Sequence, residues 1–92
     1  MAEVLVKFIA PVRGPAGDVY WAQACGRIAD DGLWEGWLEF AAEGSADVLR
    51  TDWETTQSNR EGLAYWASGL ELSYLQGAFA RARRNTPGAG AG

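Results

Sequence analysis

The 92-residue chain contains no histidine, a single cysteine and no apolar run that approaches the roughly 20 residues needed to cross a bilayer. Without histidine, the commonest general base and the commonest metal ligand in proteins are missing. Because Cys25 is the lone cysteine, an internal disulfide and a cysteine-rich zinc site are both excluded. We therefore expect a binding protein and not an enzyme, with no cofactor and no metal.

The charge is also one-sided, with 12 acidic against 8 basic side chains and a formal net charge of −4. Nucleic-acid binders usually carry a basic footprint, so we expect no nucleic-acid partner. The charge is unevenly spread, because residues 14–56 hold nine acidic side chains against only Arg27 and Arg50. The flanking segments are slightly basic. Such asymmetry favours contacts with a protein partner or with a second copy of the chain.

The apolar first twelve residues could suggest a signal peptide, but Glu3 stands where a positive region belongs and Lys7 interrupts the apolar run. We predict a β-strand there instead. An unpaired cysteine without an export signal fits a reducing compartment, so we expect a cytoplasmic protein that does not associate with membranes.

Four extended segments precede a helical one. Residues 4–10, 20–29, 33–41 and 47–56 have the composition of strands, and residues 11–18 form a loop rich in glycine and proline. The run 58–61 (SNRE) matches a capping box and predicts a helix start. We expect a kink or break at 68–71, around Gly69, and helix again through Arg84.

These elements predict an α+β fold, a two-layer sandwich in which a four-stranded antiparallel β-meander is covered on one face by a kinked C-terminal helix. The prediction is a single domain over residues 1–85 and a disordered Gly/Ala/Pro tail over 86–92.

The turn at residues 30–32 (DDG) sets the register of the second and third strands. A three-residue loop with Gly32 in the left-handed conformation pairs Ile28 with Trp34, whereas a two-residue turn would place apolar side chains opposite glutamates. A four-residue turn at 43–46 then pairs Glu39 with Arg50. It also pairs Glu35 with Glu54.

Several aromatic-rich runs carry a resemblance. The segments 34–40 (WEGWLEF), 54–57 (ETTQ), 65–70 (YWASGL) and 74–79 (YLQGAF) resemble a family of small uncharacterised bacterial proteins, over roughly residues 20–84. The resemblance implies no activity, because that family has no assigned function.

The outer, polar face of the predicted sheet is the first candidate site. Large apolar side chains on such a face usually mark a partner or ligand surface, unless the first loop or the tail folds over them. The predicted contact surface combines apolar and charged residues, namely Trp21, Trp37, Leu5, Ile9, Arg27, Glu35, Glu39 and Arg50.

The helix is the second candidate, because beyond its sheet-facing stripe it has further apolar residues. Tyr65, Leu72 and Phe79 are predicted to reach a partner through this second stripe. The leading hypothesis is thus a non-enzymatic protein–protein interaction or assembly module, expected to self-associate or to be a subunit of a larger complex. Two alternatives stay open. One is a small enzyme or ligand-binding domain using Glu35 and Glu54, and the other is an acidic decoy of nucleic acid.

Overall fold

The computed structural model describes residues 2–85, so the predicted disorder of the tail at 86–92 lies outside the described residues. Within residues 2–85, six strands precede two helices. The elements are β1 (Glu3–Lys7), β2 (Val12–Arg13), β3 (Val19–Ile28), β4 (Trp34–Ala42), β5 (Val48–Arg50), β6 (Thr55–Gln57), α1 (Arg60–Ser68) and α2 (Leu72–Asn85).

All strands form one antiparallel sheet, and the α+β prediction is confirmed. Strands β3 and β4 are long and central. The strands β1 and β2 both pair with β3, while β5 and β6 both pair with β4. The sheet therefore has four strand positions, as predicted, and we call each position a column. The two edge columns are each interrupted: β1 and β2 form one, and β5 and β6 form the other. Both helices pack on the same face, which we call the inner face.

The hairpin between β3 and β4 has the predicted register. Ile28 pairs with Trp34, and the pairing continues without a shift to Tyr20 and Ala42. Gly32 has a φ of +84°, the left-handed conformation that a three-residue loop requires at this position. The predicted pairing of Glu39 with Arg50 is also confirmed.

Two glycines face each other across this hairpin and create a hollow in the inner face. Gly26 pairs with Gly36, and a β-carbon added to either would collide with a methyl group of Leu63 from α1. Leu63 is fully buried. The missing side chains of the glycine pair therefore let α1 approach the sheet closely, which fixes the position of this helix.

The fourth column departs from the prediction. Thr51 continues the ladder, because its N–H donates to the Leu38 carbonyl at 2.9 Å and its hydroxyl accepts from the Leu38 N–H at 3.0 Å. Pairing then resumes with Thr55 opposite Gly36, so the chain inserts two extra residues. Glu35 consequently lies opposite Thr56, and the predicted pairing of Glu35 with Glu54 is wrong.

The first column contains a bulge. The pairing of β1 with β3 shifts between Val4 and Val6, which leaves Leu5 as an extra residue. Leu5 packs against the core, so the expectation that it lies on the outer face is wrong. A bulge lets two residues oppose one on the partner strand and breaks simple alternation. The short β2 also forms inside the segment predicted as a loop.

The helical segment starts and breaks where the sequence predicts. Asn59, not Ser58, caps α1, with its side chain accepting a hydrogen bond from the Gly62 N–H at 2.7 Å. Gly69 ends α1, and α2 follows three residues later. The break gives the two helices separate apolar stripes, and α2 buries Leu75 and Phe79 against the sheet.

Candidate functional site

The outer face of the sheet carries no helix or second sheet within residues 2–85. Side chains alternate between the two faces along β3 and β4, so the residues that flank each buried inner residue in the sequence lie on the outer face. Together with the residues paired to them on the edge columns, the outer face consists of Val4, Lys7, Trp21, Gln23, Cys25, Arg27, Glu35, Trp37, Glu39, Ala41, Val48, Arg50, Trp53 and Thr56.

Trp37 is the best-covered side chain of this face, at only 2% exposure. The Arg50 guanidinium carbon lies 4.6 Å from the centroid of its ring, and its indole N–H donates to Glu39 at 3.0 Å. Its cross-strand neighbour is Cys25, which is also buried. Trp37 was predicted to be a contact residue. In the structure it is the centre of a small second cluster that the face's own polar side chains seal.

The ionisable groups of this cluster have shifted pKa values. Burial, followed by the nearby charge of Glu39, raises the pKa of the Cys25 thiol to about 12, so the thiol stays protonated and is a poor nucleophile. Burial alone would also raise the pKa of Glu39. Hydrogen bonds from Trp37, Gln23 and Cys25, together with the charge of Arg50, outweigh burial and lower it.

One end of the outer face is an exposed apolar row across three strands. Trp21 pairs with Ala41, and Ala41 pairs with Val48 on its other side. Trp21 is 39% exposed and Val48 is 53% exposed. The Trp21 indole N–H donates to Glu43 at 3.2 Å, which holds the ring in place. This row is accessible to a partner.

The opposite end of the face holds a second aromatic, Trp53. The two-residue insertion of the edge column turns Trp53 outward and leaves it 54% exposed. The guanidinium carbon of Arg27 lies 5.6 Å from its ring centroid, and Arg27 also donates to Glu35 at 3.2 Å. Strict period-two alternation could not reveal Trp53, because residues 51–54 contain no glycine or proline to mark the insertion.

Beside this pair lies an open cleft of about 580 Å³. Its lining consists of Arg27, Ile28, Ala29, Asp30, Asp31 and Glu35. Asp31 is occupied in the turn, where it accepts from the Leu33 N–H at 3.0 Å.

Glu54 belongs to the other side of the sheet. Its carboxylate accepts from the Tyr74 hydroxyl at 2.6 Å and pairs with Arg81, so it ties the inserted segment to α2. Burial, followed by the hydrogen bond to Glu54, raises the pKa of Tyr74 and keeps the phenol protonated. Glu35 and Glu54, which the enzyme alternative would use together, therefore lie on opposite sides of the sheet.

The remaining predicted contact residues are dispersed. Phe79 is buried in the core, where its ring lies 4.7 Å from that of Tyr20 and 5.3 Å from that of Phe40. Tyr65 and Leu72 are exposed on different helices at 83% and 48%. Ile9 is 94% exposed in a bend beyond β1.

Comparison with known proteins adds no further constraint, since no protein-family model, curated protein or solved structure matches the chain. No helix found in the 2–85 segment is long and apolar enough to cross a membrane.

Proposed function

We propose that the protein is a non-enzymatic interaction module that associates with a second copy of itself through the outer face of its sheet. The observation that carries this proposal is the placement of both helices on the inner face. That arrangement leaves Trp21, Val48 and Trp53 exposed on the other side. Exposed aromatic side chains on an otherwise uncovered face are typical of contact surfaces.

The distribution of charge supports a second copy as the partner. Arg50 and Lys7 lie on the two edge columns, whereas Glu35 and Glu39 lie on the central strand β4. In a two-fold arrangement each copy presents the same patch, so cations near the edges of one can approach carboxylates of the other. The molecule has extents of 39 × 27 × 20 Å, so its broad face suits the ~800 Å² per partner of a standard interface.

Light scattering coupled to size exclusion tests the proposal with two matched variants. Val48→Lys places a charge in the exposed row without touching the core, and we expect it to shift the protein from dimer to monomer. Tyr65→Lys places the same charge on the exposed surface of α1 and should leave the dimer intact. A strictly monomeric parent at high micromolar concentration, or loss of the dimer only in Tyr65→Lys, would contradict the proposal.

A second candidate function is binding of a small flat ligand at the Trp53 end of the outer face. The exposed Trp53 ring beside the Arg27 cleft favours it, because aromatic rings offer a surface for stacking. Quenching of tryptophan fluorescence by a set of simple sugars, compared in the parent and in Trp53→Ala, would test it. Equal or absent quenching in the two proteins would remove this candidate.

The proposed compartment is the cytoplasm. Cys25 is a free and buried cysteine, and a reducing compartment is where unpaired cysteines are common.

A further inference from the structure

A second concave surface lies on the helix side, between the turn that follows β2 and the helix α2. It is a cleft of about 280 Å³. Its lining is formed by Arg13, Gly14, Pro15, Gln76, Phe79, Ala80 and Arg83. Among the described residues, the lining therefore contains two arginines and an amide but no carboxylate.

The two arginines of this cleft differ from three arginines elsewhere in the chain, which are neutralised by carboxylates. Arg27, Arg60 and Arg81 are each paired with a glutamate. Within the described part of the chain, the Arg13 guanidinium has neither a hydrogen bond nor an ion pair. The guanidinium carbon of Arg83 lies 5.9 Å from the centroid of the Phe79 ring, and no ion pair with a residue of the 2–85 segment neutralises it. Their charges are thus available to an anion.

One hydrogen bond connects the walls of the cleft, and a second closes the turn. The Arg13 N–H donates to the side-chain oxygen of Gln76 at 3.2 Å, which joins β2 to α2 and leaves the Gln76 amide NH₂ as a third donor. The Gly14 N–H donates to the Asp18 carbonyl at 2.8 Å and closes the turn. The Asp18 carboxylate is near this turn, but it does not line the cleft.

We propose that this cleft binds a small organic oxyanion, a carboxylate or a phosphate monoester, attached to an apolar body. The planar guanidinium groups of Arg13 and Arg83 match the geometry of both oxyanions. The exposed Pro15 ring and Ala80 methyl group supply an apolar surface beside them, with the edge of the buried Phe79 ring behind. The site is separate from the outer face, so anion binding can be tested independently of self-association.

NMR titration of the full chain tests the site with benzoate, phenyl phosphate and inorganic phosphate at constant ionic strength. We expect saturable shifts centred on Gly14, Gln76 and Arg83, with a dissociation constant on the order of 1 mM. The neutral benzamide should leave these signals unmoved. The tighter of benzoate and phenyl phosphate identifies the preferred oxyanion. Inorganic phosphate should bind more weakly, and equal binding would contradict packing on the apolar surface.

Matched variants separate the cleft from general surface charge. Arg83→Gln and Arg13→Gln should each weaken binding about tenfold, because each removes a charge-assisted hydrogen bond. Arg84→Gln removes the same charge one residue away. Arg84 lines a different cleft that also holds carboxylates, so this variant should bind like the parent. Unsaturable shifts, or equal weakening in all three variants, would overturn the proposal.

Discussion

The two faces of the sheet bury apolar side chains in different ways. The inner face is covered by two helices and buries a contiguous apolar core that includes Leu38, Phe40 and Phe79. The outer face has no covering layer in the part of the chain that the structure describes, yet it buries Trp37 beneath Arg50 and beside Glu39. Burial on the inner face therefore comes from a second layer, and burial on the outer face comes from side chains within the sheet.

The largest expected effect tests the outer cluster. Trp37→Ala should destabilise the protein by about 4 kcal/mol, because it removes a buried indole and leaves a cavity that its polar neighbours fill poorly. Chemical denaturation measures this loss. Trp37→Phe is the control and should lose clearly less. A loss below about 1 kcal/mol for Trp37→Ala would mean that Trp37 is a free surface residue, as the sequence predicted.

A smaller effect is expected at the glycine pair of the inner face. Gly36→Ala should cost about 2 kcal/mol, because the new methyl group collides with Leu63 and presses on Trp66. In a Leu63→Ala background the same change should cost much less, since the colliding methyl groups are gone. Denaturation of the four proteins in this cycle gives the coupling. Additive effects would show that Gly36 is not required for the approach of α1.

The central hairpin could be predicted in detail because its signals are local. The DDG turn fixes the register, and one slipped residue would place Glu35 or Glu39 opposite apolar side chains. The edge columns could not be predicted. The Leu5 bulge and the insertion that turns Trp53 outward contain no glycine or proline, so no strong turn signal marks either of them. For that reason the sequence did not predict that Trp53 lies on the candidate surface.

A glycine that faces solvent should respond in the opposite direction to Gly36. Gly77 lies inside α2, and a β-carbon there would meet only the Arg81 guanidinium, at 3.8 Å. Gly77→Ala should therefore stabilise the protein by up to about 1 kcal/mol, because alanine restricts the unfolded chain and favours the helix. A higher midpoint in thermal unfolding is the expected result. Destabilisation would indicate that this surface of α2 packs against something.

The smallest effect concerns the charge that seals the outer cluster. The folded protein lowers the pKa of Glu39, so this carboxylate contributes stability above its unfolded pKa and loses it as the pH falls through the folded value. Glu39→Gln should be less stable than the parent at neutral pH, and the difference should shrink below about pH 4. Urea unfolding across this range measures the change. The control is Glu43→Gln, which removes a more exposed carboxylate. If the stability difference between the parent and Glu39→Gln grew on acidification, the role assigned to Glu39 would be contradicted.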